Sequence, residues 1–313
     1  MIDPVGGRDA SGSVGALPRP GQTWAGWRRA AGTLWGVLQH DRFAFAGIVI
    51  YALFVLIALS APLLTPYDPQ QTIISGDQLM ANRPPSRAYP LGTTNVGRDI
   101  FAQLVYGARP ALAVGFVAAF FVALIGTSIG IVAGYYGGWL DAVLMRLADV
   151  AFGIPYLPFV IVLVAFLGPS LWNIVLTMAL LLWKDTARVV RAQVLTLRER
   201  GFVEAARVLG SSPRRLMLVH LAPNVLPIAL LYGSLAVGWA ILTEASVSFL
   251  GFGDPARISW GYMLQDAYIS QALSGGAYNW FIPPGVCIML VVMAGYFISR
   301  GYEELLFPRL RRR

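Results

Sequence analysis

Charge is scarce in this sequence and lysine almost absent: of 313 residues only 13% are charged, and of 24 basic residues Lys184 alone is lysine, the other 23 being arginine. A Walker A loop needs a lysine after a glycine-rich turn to reach nucleotide phosphates. Lys184 instead sits in Leu182-Trp183-Lys184-Asp185, so the chain has no P-loop with which to hydrolyse ATP. A single cysteine, Cys287, excludes a disulfide framework and a thiolate metal cluster. The two histidines, His40 and His220, lie far apart and outside any HExxH pattern, so no metal or other cofactor is expected on this chain.

Apolar residues fill the space that charge leaves. They make up 57% of the chain, its mean hydropathy is +0.62, and they gather in runs of about 20, the length that carries a helix across roughly 30 Å of hydrocarbon. Six runs are legible, at about 43–64, 110–134, 145–167, 170–188, 224–248 and 281–300. The expected fold is therefore all-α, a polytopic membrane protein with about six transmembrane helices. A cleavable signal peptide would keep its apolar core to about 7–15 residues, so 43–64 reads as an uncleaved anchor. Before it, residues 1–42 form a cytoplasmic segment. About 1–22 are too rich in Gly, Pro and Arg to order themselves, and Trp24, Trp27 and Trp35 alternate with arginines as at a lipid headgroup interface.

The net charge of +8 does not point to nucleic acid, because the arginines flank membrane spans. Eighteen fall on the side shared by both termini, and five (Arg83, Arg87, Arg98, Arg109, Arg257) on the other. The positive-inside rule places both termini, the 189–223 loop and the basic stretch 301–313 in the cytoplasm, and the polar loop 65–109 outside. Lys184, Asp185 and Arg188 at the inner end of the fourth span, and Asp141, Arg146 and Asp149 before the third, read as paired or snorkelling interfacial charges. Pro155 and Pro158 predict kinks in the third span. Gly126, Gly130 and Gly134 repeat the GxxxG spacing that lets helices approach closely.

The 189–223 loop is unusually long. Glu204-Ala205-Ala206-Arg207-Val208-Leu209 is built from helix formers, Gly210 can end a helix in the left-handed conformation, and Ser212-Pro213 reads as an N-cap followed by proline at the first helical position. Two short helices joined by a bend are expected. They could dock a soluble partner through Ala205 and Ala206 with Glu204 as a polar anchor, or lie on anionic lipid.

Glu204-Ala205-Ala206, then Gly210, then His220-Leu221-Ala222-Pro223-Asn224 resembles the EAA loop of ABC-importer permeases, in the form typical of oligopeptide and dipeptide systems. Further blocks follow the same family in order: Leu91-Gly92-Thr93-Thr94-Asn95-Val96-Gly97-Arg98-Asp99, Tyr106-Gly107-Ala108-Arg109, Ala133-Gly134-Tyr135-Tyr136-Gly137-Gly138, and Glu244-Ala245-Ser246-Val247-Ser248-Phe249-Leu250-Gly251. The end departs, since Arg300–Pro308 lacks the aspartates of the family's closing segment.

The resemblance implies a type I ABC importer permease fold, with a five-helix core over 110–300. It also implies a homologous second permease, two cytoplasmic ATPases that hold the ATP and Mg, and an extracytoplasmic substrate-binding protein, all in a bacterial inner membrane. Glu204, Ala205, Ala206, Gly210, His220, Pro223 and Asn224 become candidate coupling residues. Glu244, near the outer end of the fifth span, becomes a candidate gate or binding-protein contact. The cargo stays open among dipeptides, oligopeptides, nickel and other small solutes. An ion-coupled secondary transporter is the alternative, against which stands the lack of paired inverted repeats and mid-span acids.

Overall fold

The computed structural model of the chain describes residues 41–75 and 77–306, with Gly32 and Gly36. The expected disordered tail, the interfacial tryptophans and residues 307–313 lie outside the described residues. Helix α1 (Arg42–Leu64) starts where the Asp41 carboxylate accepts from the Ala44 N–H at 2.6 Å. It ends at the extended Thr65, before Pro66; Pro62 is accommodated inside it. A two-stranded antiparallel hairpin follows, β1 (Ile74–Ser75) and β2 (Gln78–Leu79), with Ile74 opposite Leu79.

Helix α2 (Ile100–Tyr136) begins ten residues earlier than the apolar run suggested. The 91–99 block folds back so that Asp99 accepts from the Phe101 and Ala102 N–H groups, each at 3.2 Å, and this cap extends the helix into the stretch read as loop. At 37 residues α2 is about 55 Å long, well beyond the hydrocarbon thickness, so its ends project into the aqueous phases.

The expected third span is two helices, α3 (Gly138–Gly153) and α4 (Tyr156–Leu167), bent by 90°. Pro155 lacks an N–H and biases Ile154 away from helical geometry; Ile154 is extended, at φ −87°, ψ 124°. Pro158 causes no kink, because it lies in the first turn of α4, where no intrahelical N–H bond is lost. The interfacial reading of the α3 charges is met: the Arg191 guanidinium grips both Asp141 carboxylate oxygens, and Arg188 donates to Asp149 at 2.7 Å.

Helix α5 (Leu171–Leu197) lies along α2. The contact is backbone-close because α2 shows it glycines. A Cβ on Gly126 would stand 2.6 Å from the Thr186 Cβ, one on Gly130 2.7 Å from the Ala187 carbonyl, and one on Gly134 2.8 Å from the Val194 Cβ. The GxxxG spacing thus serves packing inside the subunit.

The connection that follows holds α6 (Gly201–Val208), α7 (Pro213–Arg215) and a π-helical turn (Leu216–Leu221) that runs into α8 (Ala222–Val247). A second π-helical turn (Ser248–Phe252), α9 (Trp260–Ile269) and α10 (Tyr278–Leu306) complete the chain. Trp260 is buried at the outer end, its ring edge-on to Phe54 and its Nε1 donating to the Leu104 carbonyl at 2.9 Å. Gly107 leaves room for that ring. Among the described residues, four helical stretches are long and apolar enough to cross a membrane, and the bent α3–α4 pair makes a fifth. The sixth expected span is α5, which has the length but carries Lys184, Asp185, Arg188 and Arg191; it tolerates them because much of its surface faces protein.

Gly130→Val drives a side chain into the Ala187 carbonyl and the Val190 side chain. It should destabilise the purified subunit by about 1–3 kcal/mol, read as a lower melting temperature in detergent. Gly285→Ala, where a Cβ meets nothing within 4 Å, should leave melting unchanged.

Candidate functional site

Two surfaces combine candidate residues. The first is the connection between α5 and α8. Helix α5 runs on to Leu197, so the opening residues of the expected 189–223 loop are its last turns, and the closing ones continue into α8. Arg198 anchors the junction by donating to the Gly134 carbonyl of α2 at 3.1 Å. The projecting part is short. In α6, Val203 and Ala206 turn inward against Leu197, Leu216, Leu221 and Val225. At its end the Ser211 N–H reaches the Ala206 carbonyl at 3.1 Å and Gly210 takes φ +79°, a glycine-terminated helix cap. Ser212 then caps the next turn, accepting from the Arg215 N–H, with Pro213 first in the helix. The expected bend and its punctuation are in place.

The outward face differs from expectation. Glu204, Ala205, Gly210 and Asn224 are exposed, and Asn224 donates to the His220 carbonyl at 2.6 Å. Ala206 is buried against its own chain, as is Pro223, so neither is presented to a partner; an alanine three positions from Val203 shares its inner stripe. His220 is half-buried in the π-helical turn. What α6 presents instead is apolar: Val208 is 82% exposed, Leu209 62% and Phe202 45%, beside Arg207. The sequence did carry a signal for these three, because α6 has more apolar residues than one inner stripe can hold.

Glu244 is enclosed, at 1% exposure, and accepts from the Ser248 hydroxyl at 2.6 Å. Expected as a gate or a binding-protein contact, it does not lie on the surface of the chain in this conformation. The reason is α9: Ser259-Trp260-Gly261 folds back over the outer end of α8, with Gly261 against the Ala245 backbone. Just outside, burial pushes the Asp99 and Asp266 carboxyls up, opposed at Asp99 by its capped N–H groups and at Asp266 by the Arg98 guanidinium.

The second surface is a cleft of about 360 Å³ between α2, α4, α5 and α8. Tyr156, Lys184, Asp185, Tyr232 and Trp239 are among the residues that line it. Of the pairing or snorkelling expected of Lys184, Asp185 and Arg188, pairing is seen only at Arg188. Arg188 is paired, with Asp149, but no ion pair joins Lys184 or Asp185 to any described residue. At the opposite end of the molecule from α6 a separate polar cleft of about 330 Å³ is bordered by Asp68, Gln70, Tyr106, Arg109 and Arg257.

Compared with known proteins, residues 126–312 match the family described as the inner membrane component of binding-protein-dependent transport systems. Residues 27–85 match the N-terminal transmembrane domain of oligopeptide transport permease C. The chain belongs to this permease family. The permease is 37% identical over 286 residues to the dipeptide transport system permease protein DppC of Alkalihalophilus pseudofirmus, covering 91% of this chain and 90% of that one. It is 37% identical over 277 residues to the oligopeptide transport system permease protein OppC of Bacillus subtilis, covering 88% of each. A chain of the MetNI methionine ABC transporter, solved in inward-facing conformations, superposes with a TM-score of 0.50 at 20% identity, covering 64% of the permease and 96% of that chain. The permease therefore has the type I ABC importer fold, as its sequence motifs implied.

Burial separates the two alanines of the motif. Ala206→Leu should lower the melting temperature of the purified permease, an overpacking cost of about 1–3 kcal/mol, while Ala205→Leu on the exposed face should leave it unchanged.

Proposed function

We propose that the permease is one of two homologous membrane subunits of an ATP-driven importer of di- and oligopeptides in a bacterial inner membrane, with both termini cytoplasmic. It forms half of the translocation path and couples through α6 to two cytoplasmic ATPases, which hold the ATP and Mg. The observation that carries this reading is the α6 surface. A short helix at the arginine-rich end exposes Phe202, Val208 and Leu209 and rims them with Glu204 and Arg207. Exposed apolar anchors on one helix suit insertion into a groove of a soluble partner.

The sequence offers no P-loop, so the energy comes from another polypeptide. Relatives named for dipeptide and oligopeptide transport support peptides as cargo. The polar outer cleft between the 65–99 segment and the loop before α9 suits docking of a binding protein that delivers them.

The rigidity of the α6 mount is what transmits the stroke. In Gly210→Val the new side chain must occupy φ +79°, which costs roughly 1–2 kcal/mol for a non-glycine residue and misdirects α6. Reconstituted with its partners, this variant should insert normally yet lose most peptide uptake and binding-protein-stimulated ATP hydrolysis. Val208→Asp should do the same by placing a charge in the groove. Normal uptake in both variants would overturn the coupling assignment.

A further inference from the structure

The membrane cleft holds a pair of charges that the fold leaves unused. Lys184 and Asp185 are the fourteenth and fifteenth of the 27 residues of α5, halfway along a helix about 40 Å long. Side chains at i and i+1 do not face each other on a helix, so the two cannot neutralise one another in a contact pair. Lys184 is 7% exposed; its Nζ donates to the Leu181 carbonyl at 3.0 Å and lies 5.0 Å from the centre of the Phe152 ring. An ammonium has three N–H donors, so two are left over. Asp185 is exposed at the cleft and accepts no hydrogen bond from a described residue.

The helix runs nine residues past the end of the apolar run, so Asp185 stands midway along it and not at its inner end, and a carboxylate set against hydrocarbon would cost about 2.5–3.5 kcal/mol at the bilayer centre. The mouth of the cleft therefore opens to water or to protein. Its volume, about 360 Å³, lies within the range of small-molecule sites. Its walls carry the aromatic rings of Tyr156, Tyr232 and the 58% exposed Trp239, and its charged groups are one cation and one anion a residue apart.

We infer that this cleft is a transit subsite for short zwitterionic peptides, in which Lys184 takes the α-carboxylate and Asp185 the α-ammonium of the passing molecule while the aromatic wall accommodates its side chains. The inference rests on the importer reading and deepens it: the membrane subunit itself, and not only a binding protein, reads the free termini of the cargo. The two charges suit transit, because each contact is one charge-assisted hydrogen bond, strong enough to draw the peptide from water and weak enough to release it.

The test uses the complete complex reconstituted in liposomes. In a Cys287→Ser background, Leu235→Cys places one thiol in the cleft wall, and its alkylation by a permeant maleimide is timed with and without the dipeptide Ala-Phe. Ala-Phe should slow alkylation, and its N-acetylated, C-amidated form, which lacks both charges, should not. Lys184→Met or Asp185→Asn should each raise the half-protecting Ala-Phe concentration about tenfold, the loss of one charged hydrogen bond. Lys184→Arg and Asp185→Glu should largely preserve protection, which separates charge from folding. Equal protection by the capped peptide, or full protection in the Lys184→Met, Asp185→Asn double variant, would overturn the subsite. ATP-dependent Ala-Phe uptake is measured on the same liposomes. Uptake without charge-dependent protection sinks the subsite alone, and protection without ATP-dependent uptake sinks the importer reading alone.

Discussion

The approach of α2 and α5 at Gly126, Gly130 and Gly134 is the contact on which the rest of the permease rests. In a bilayer, association of helices gains little from the hydrophobic effect, since lipid tails are as apolar as leucine; close packing of small residues supplies the attraction instead. With no side chain on the α2 side, the Trp183 and Ala187 carbonyls of α5 come almost onto the α2 backbone. The same line of contact continues past the membrane, where Arg198 reaches the Gly134 carbonyl and fixes the point from which α6 projects. One glycine stripe therefore sets the position of both the cleft and the projecting helix α6.

Interior placement changes what α5 is allowed to carry. A lipid-facing helix with Lys184, Asp185, Arg188 and Arg191 would be costly to insert. Here Arg188 and Arg191 are matched by α3, which the break at Pro155 turns back towards α5 so that Asp149 and Asp141 meet them. Either side of the same break, Phe152 lies against the Lys184 ammonium and Tyr156 lines the cleft beside it. Its hydroxyl lies 3.2 Å from that of Thr243 on α8, tying the edge of the cleft to a second helix. The bent span and the unmatched charges are thus two aspects of one arrangement.

Much of this was legible in the residues. Apolar runs located the helices, Ser212-Pro213 and Gly210 punctuated the coupling segment where the structure places a cap and a positive φ, and the ordered blocks around Asp99, Glu204 and Glu244 named the family. The misreadings share a cause. The start of α2 was missed because Asp99 caps it only after the preceding block has folded back. A linear motif says which residues occur together and not which way each one turns, so it sets Ala206 on the presented face and Glu244 at a gate or binding-protein contact while the fold buries both. The exposed Val208 and Leu209 were passed over for the same reason.

The sequence alone determined that the chain lives in a bilayer, that it cannot hydrolyse ATP through a P-loop, and that the 189–223 connection is a built element. Each of these follows from residue type and spacing, which local chemistry translates directly. Tertiary structure decided that Pro155 breaks a span through a right angle, that α5 is an interior helix able to hold charge, and that Glu244 is sealed beneath Trp260 and Gly261 while Asp185 is not. Burial and pairing depend on which helices lie side by side, and that is set by surfaces distant in sequence, where a missing Cβ on one helix meets a carbonyl on another.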